Sequence, residues 1–258
     1  VSQQTQQHEG TFAGTLRAIV PALIIALVIR TLLFQLVSIP SGSMKPTLLV
    51  GDYLLVSKFS YGYSRYSLPF GPPVFSGRMF PGTPERGDII VFRSPTDDTA
   101  DLIKRAIGLP GDRIEVKGGL VHINGMPVKR EKSADFVGED PCRETPTFSV
   151  IARVPRWRET LPNGVSYDTL ECPLAATDPD VDNTPVYNVP AQHFFMMGDN
   201  RHRSLDSRFL NDVGYVPFEN LIGRAQVVFF SVAEGENAWQ FWRWPWSVRF
   251  GRLGTVVR

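Results

Sequence analysis

Between Ala18 and Met44 the chain is apolar at most positions, and Arg30 is its only charge. The runs AIVPALIIALVI and TLLFQLV show no polar face. A helix that is apolar all round must be buried, either in protein or in lipid. This pattern predicts a membrane anchor helix over 12–37, preceded by a polar tail over 1–11. The charge-free stretch between Arg17 and Arg30 reaches only about 20 Å at helical rise, against roughly 30 Å of hydrocarbon. Snorkelling of Arg30 and the apolar continuation to Ile39 make up the difference. A cleaved leader would need a basic leading region and a small-x-small site, and neither precedes Pro40. A buried soluble helix and an interfacial helix are the remaining alternatives. Arg17 and Arg30 flank the run one apiece, so charge does not orient it.

After Pro40 the period changes. GDYLLVSKF (51–59), GDIIVF (87–92) and AQVVFFSV (225–232) are short runs rich in β-branched and aromatic residues, which predicts strands. Residues 112–129 read as consecutive hairpins, with Gly118-Gly119 and Asn124-Gly125 in the turns. Residues 60–84 form a Tyr, Gly, Pro and Ser-rich excursion. The stretch 131–190 carries Pro at intervals and both cysteines. The expected architecture is mainly β: an N-terminal transmembrane helix, then an all-β body with an inserted loop-rich β lobe. Segments 38–59, 84–112 and 191–232 make the core, and 60–83 with 113–190 make the lobe. The remaining 233–258 is a tail holding four of the five tryptophans in WQFWRWPW (239–246). Trp with Arg suits a lipid headgroup layer, and it suits equally a final strand folded over the β core.

Composition narrows the chemistry. Gly and Pro number 22 and 21 in 258 residues, which favours turns over a helical bundle. The net charge of +1 gives no field to recruit nucleic acid. The four histidines and two cysteines have no ligand spacing, so neither a metal nor a cofactor is expected. Cys142 and Cys172 are either buried thiols or one disulfide, the disulfide being favoured if the body is exported.

Three clusters could carry chemistry. IPSGSMKPTL (39–48) fixes a tight bend directly after the apolar run, with prolines on both sides of two serines. In LIKRAIGLPGD (102–112), Lys104 stands between apolar pairs. Turned inward, it would lose solvation and hence basicity, as a lysine base requires. MMGDNRHRSLDSR (196–208) alternates opposite charges among Gly, Asn and Ser, the makings of an ion-pair network. A triad of Ser43, His202 and Asp199 is the competing assignment, resting only on the nearness of the last two in the chain.

SGSMKPTL, GDYLLVSKFSYG (51–62), KRAIGLPGD and GDNRHRSLDSR, in that order and after an apolar helix, resemble the signature boxes of bacterial type I signal peptidases. The resemblance implies a signal-peptidase-type catalytic body and an endopeptidase that removes signal peptides from exported preproteins. It implies a single-pass protein of the bacterial inner membrane with its tail inside and its catalytic domain on the outer, periplasmic face. The expected partners are those signal peptides and the lipid bilayer. By motif match Ser43 is the nucleophile and Lys104 the general base. Ser41 matches the serine that completes the oxyanion hole with the Ser43 N–H, and Ser204 the serine that hydrogen-bonds the lysine. Asp199, Arg105, Asp206 and Arg208 match the supporting ion pairs. Phe92 and Met196 match apolar positions around the lysine stem. Ile39, Met44, Leu48 and Ile103 match the residues lining shallow substrate pockets, which implies cleavage after small residues at an Ala-x-Ala site. Two other readings stand against this one: another Ser-Lys peptidase, or a non-catalytic membrane-tethered β domain.

Overall fold

The structure, a computed structural model, describes residues 6–68, 71–72, 75–142, 151–172 and 181–257. Helix α1 (Gln6–Val28) runs through Pro21 and passes into a π-helical turn, Ile29–Leu33. The window Gly14–Leu33 has a mean hydropathy of 2.2, and none of it is buried by the rest of the molecule. At helical rise those residues span about 30 Å, the thickness of a bilayer's hydrocarbon. The helix expected over 12–37 therefore starts earlier and ends sooner. From Phe34 the chain becomes strand β1 (Phe34–Ser38), because β2 (Asp52–Ser57) lies alongside to satisfy its backbone, in register from Phe34 opposite Ser57 to Ser38 opposite Tyr53. Apolar composition alone does not separate the two conformations.

The remaining strands in chain order are β3 (Ile89–Arg93), β4 (Asp101–Gly108), β5 (Arg113–Lys117), β6 (Leu120–Ile123), β7 (Met126–Pro127) and β8 (Lys129–Lys132). They continue with β9 (Phe136–Glu139), β10 (Ile151–Val154), β11 (Arg156–Thr160), β12 (Ser166–Leu170), β13 (Tyr187–Asn188) and β14 (His193–Met197). The last are β15 (Val216–Pro217), β16 (Leu221–Ser231) and β17 (Thr255–Val256). The main sheet has the order β1-β2-β16-β3-β4-β14-β15, with β17 added on β16. Irregular registers along β16 and β14 bend it. Smaller sheets are made by β13-β5-β6-β7, by β12-β11-β8 and by the β9-β10 pair. The protein is mainly β behind one apolar helix, as its pattern predicts.

Strand β4 decides where the site lies. It is central and buried on both faces, so its successive side chains enter different apolar clusters. Ala106 packs with Ile90, Phe92 and Met196, and Ile103 packs with Ile39, Met44 and Leu48. Lys104 and Arg105 are thus carried inward on opposite faces, at 4% and 0% exposure. Few positions in a fold are more costly for a cation, so each must have a partner.

The C-terminal segment is folded onto the body rather than free. Arg252 pairs with fully buried Asp52 and donates to Thr47 O (3.0 Å), and Arg249 donates to Val50 O (2.8 Å). These arginines are committed to the loop after Ser43. The aromatic rings are not, and Trp239, Trp242 and Trp246 stay exposed.

Candidate active site

The segment after β1 is a single 3-10 turn, Gly42–Met44, entered from extended Ser41. Its ends are clamped by backbone bonds: Ile39 N–H to Asp52 O (2.8 Å), Gly51 N–H to Ile39 O (3.0 Å) and Leu48 N–H to Met44 O (2.9 Å). The Lys45-Pro46 peptide is cis. Ser43 is thereby presented, 7% exposed, to the neighbouring β4.

Lys104 Nζ lies 2.8 Å from Ser43 Oγ, and Ser41 Oγ is 3.3 Å from the same oxygen. Burial pulls the lysine pKa from 10.5 down to about 8, with Asp206 and Asp199 opposing that shift and Arg208 assisting it. At pH 7 this raises the neutral fraction of the amine from about 0.03% to about 9%. A hydroxyl bonded to an amine whose neutral form is this accessible near pH 7 is the arrangement of a nucleophile beside its base.

Two ion pairs frame this dyad. Arg105 forks onto Asp199 (2.8 and 2.7 Å), and Thr47 Oγ1 also donates to that carboxylate. Arg208 forks onto Asp206 (2.9 and 2.9 Å), which in addition accepts the Gly198 N–H (3.0 Å). Burial works against the Asp206 charge, but Arg208, the Gly198 N–H and the Ser204 hydroxyl outweigh it and hold the carboxyl below the ordinary range.

Residues 12–230 match the family described as signal peptidase, peptidase S26. The chain is 44% identical over 212 residues to signal peptidase I of Rickettsia typhi, covering 80% of this chain and 76% of that one. It is 41% identical over 235 residues to signal peptidase I of Rickettsia prowazekii, covering 89% and 82%. This chain belongs to the signal peptidase family, peptidase S26. It is accordingly a serine peptidase, and with its exposed apolar helix a membrane-anchored one. A crystal structure of a signal peptidase I from Enterococcus faecalis V583 shares 26% identity at a TM-score of 0.31, covering 55% of this chain and 96% of that one; the family assignment is carried by sequence and not by that overlay.

The peptidase brings its sequence-flagged residues together unevenly. Ser41, Ser43, Lys104, Arg105, Asp199, Asp206 and Arg208 converge as described. Ser204 is buried beside them, 5% exposed, with its Oγ near the Asp206 carboxylate but in no well-aligned hydrogen bond among the described residues. The expected bond to Lys104 is not formed among the described residues: Lys104 Nζ donates to Ser43, and the Ser204 hydroxyl is turned toward Asp206 instead. The Ser-His-Asp alternative is overturned. His202 Nδ1 faces Cys172 O (3.1 Å), its Nε2 faces Asp182 (2.9 Å), and Asp199 is occupied by Arg105.

Ile39, Met44, Leu48 and Ile103 do not wall an open pocket. They pack into one core cluster at 2%, 0%, 0% and 8% exposure, each burying its apolar surface against the others and away from water. The cavity that does open at Ser43, about 360 Å³, is lined instead by Pro40, Gly42, Pro141, His202, Arg203, Ser204 and Glu234 among others.

Sequence reasoning missed two supports. Arg201 forks onto Glu159 (3.0 and 2.6 Å), with Tyr167 OH donating to the same carboxylate (2.9 Å). Nothing around Glu159 in RWRET marks it. Gly198 stands in the GDNRHRSLDSR motif, and the reason for it is spatial: a Cβ there would strike Ser204 and lie 2.6 Å from Ser43 O.

Proposed function

We propose that this peptidase removes signal peptides from exported preproteins, with Ser43 as nucleophile and Lys104 as general base. The observation that carries the assignment is the 2.8 Å contact between Ser43 Oγ and a buried lysine whose pKa has fallen to about 8. Neutral Lys104 takes the hydroxyl proton as Ser43 Oγ attacks the scissile carbonyl. The carbonyl oxygen becomes an oxyanion, to which, by the family's pattern, the Ser43 N–H and the Ser41 hydroxyl donate. Such donors contribute about 3–4 kcal/mol to the transition state. Collapse of the intermediate breaks the C–N bond, and the Lys104 ammonium returns its proton to the departing amine. Water then hydrolyses the acyl-enzyme, with Lys104 again as base.

For cleavage after small residues, the closed cluster of Ile39, Met44, Leu48 and Ile103 has to part slightly when substrate binds. An alanine methyl needs only a small opening in such a cluster, whereas a leucine side chain would have to displace it, which favours an Ala-x-Ala site. The anchor sets the depth. Ser43 follows the apolar helix by one short strand, so the enzyme's serine and the bond just beyond a signal peptide's apolar segment meet near the membrane surface. We assign the single span a tail-inside orientation, which would set this body on the outer face of the bacterial inner membrane, where exported chains emerge.

The test is direct. The detergent-solubilised protein, beside its Ser43→Ala variant, is incubated with a preprotein bearing an Ala-x-Ala site, and the new N-terminus is read by mass spectrometry. Cleavage after the last alanine by the wild type alone is expected. An intact preprotein, or equal cleavage by both, overturns the proposal.

A further inference from the structure

One fully buried side chain next to the dyad is not used by the chemistry above. Asn200 donates through its backbone N–H to Ser43 O (3.0 Å) and through Nδ2 to Gly42 O (3.2 Å) and Pro141 O (2.8 Å). Both hydrogens of the amide are therefore spent, one on the residue before Ser43 and one on the residue before Cys142. Cys142 is bonded to Cys172 with the Cα atoms 5.5 Å apart. Cys172 O in turn holds His202 Nδ1 (3.1 Å), two residues beyond Asn200, and Leu170 N–H donates to Asp199 O (2.9 Å). The bridge thus grips the 199–202 loop from two directions, and that loop grips the Ser43 turn.

The geometry points to Asn200 as a positioning residue for Ser43, and to the Cys142–Cys172 bridge as the device that keeps it in place. The bridge joins the ends of two small sheets that lie outside the main one, after β9 and after β12. It adds nothing to the main sheet's hydrogen bonding. What it does fix is where the Pro141 carbonyl stands. An Nδ2 hydrogen that loses that acceptor is left unpaired in a buried site, and the amide must turn to find another. Turning it releases Gly42 O, so the error passes one residue along to the nucleophile. A staple acting only on stability would leave the turnover of folded molecules untouched. A staple acting through Asn200 lowers kcat while leaving KM alone, since neither the dyad's charge nor the packed apolar cluster is altered.

This inference rests on Ser43 being the nucleophile. The experiment uses the full chain in detergent, cleaving one preprotein, as the wild type, as Cys142→Ser/Cys172→Ser, as Asn200→Asp, and as the three changes combined. Kinetic constants are read with the pH profile, and melting temperature is recorded alongside. Bridge removal is expected to lower kcat about tenfold with KM within about twofold, a loss of the size that sub-ångström misplacement of a reacting group produces. The acid limb of the profile should stay where the wild type has it. Asn200→Asp should lose at least as much, and adding the cysteine changes to it should cost little more, because one path has already been cut. Wild-type kcat in the bridge variant overturns the inference, and so does full additivity of the two losses. Should Asn200→Asp not fold, the wild type titrated with reductant decides the same question: kcat must track the bridged fraction measured by thiol alkylation. A wild type that cleaves nothing refutes the peptidase assignment instead, so the two failures are told apart.

Discussion

Gly198→Ala places a methyl where the structure has no room for one. Gly198 carries no unusual backbone angle, so the objection is purely one of space. The new Cβ would meet Ser204 Oγ and Cβ, and would stand 2.6 Å from Ser43 O, where ordinary contact begins near 3.4 Å. Rotating the Ser204 hydroxyl would clear Oγ but not its Cβ, 2.4 Å away, so the Ser204 backbone must shift as well. The Ser43 carbonyl is backbone, already bonded to the Asn200 N–H at 3.0 Å, and it must retreat by about 0.5–1 Å. Overpacking of this kind costs about 1–3 kcal/mol of stability, which a domain of this size can survive. Catalysis is more exacting, because a 1 Å displacement of a reacting group costs about 100-fold, or about 2.7 kcal/mol of barrier. The assay is cleavage of a preprotein at saturating and limiting concentrations, with the melting temperature measured on the same sample. The expected result is a kcat down by about two orders of magnitude in a protein that still melts cooperatively. Near-wild-type kcat in the folded variant would show that Ser43 is not held through this contact, and the reasoning would fail.

Other expectations concern pH, the tail and the membrane. Lys104 serves as a base only when neutral, so log kcat/KM should rise with slope one as pH increases and level off above about 8, as stopped-flow or gel assays would show; a profile flat down to pH 6 contradicts this. Arg252→Gln leaves the buried Asp52 carboxylate to the Leu49 N–H and Ser231 hydroxyl with no counter-cation, and should cost about 3 kcal/mol, seen as a melting temperature lower by roughly 6–12 °C. No shift would mean that the tail does not brace the loop after Ser43. Trp239, Trp242 and Trp246 are 66%, 52% and 74% exposed, so a form lacking residues 1–33, which keeps β1, should float with anionic liposomes. Changing those three to Ala should weaken flotation, and equal flotation would leave the helix as the sole anchor.

What could be read from the sequence was whatever chemistry is local in the chain. Ser41 and Ser43 share one turn, Lys104 and Arg105 share one strand, and Asp199, Asp206 and Arg208 share one loop, so short motifs carried them. The β character of the body followed from short apolar runs punctuated by Gly and Pro. The misses have a common physical cause, which is that the partner comes from far away. Glu159 meets Arg201 across 42 residues, and Thr47 meets Arg252 across 205. No spacing rule links such pairs. The end of the helix was misplaced for the same reason, since Phe34–Ser38 becomes strand only because β2 returns beside it. Ser204 and the four apolar pocket residues show a different limit. Motif matching places a side chain in the site, but it does not state which hydrogen bond it forms or whether a pocket stands open.

The central claim is that Ser43 and Lys104 act as a unit, and double-mutant kinetics test it most directly. Rates of preprotein cleavage are measured for Ser43→Ala, Lys104→Ala, the two combined, and His202→Ala, each checked for folding by circular dichroism. Each dyad variant should lose nearly all activity, the combined variant should be hardly worse than either, and His202→Ala should retain turnover, because its ring nitrogens face Cys172 O and Asp182 rather than Ser43. Substantial cleavage by Lys104→Ala, or abolition only when His202 is changed, would contradict the account.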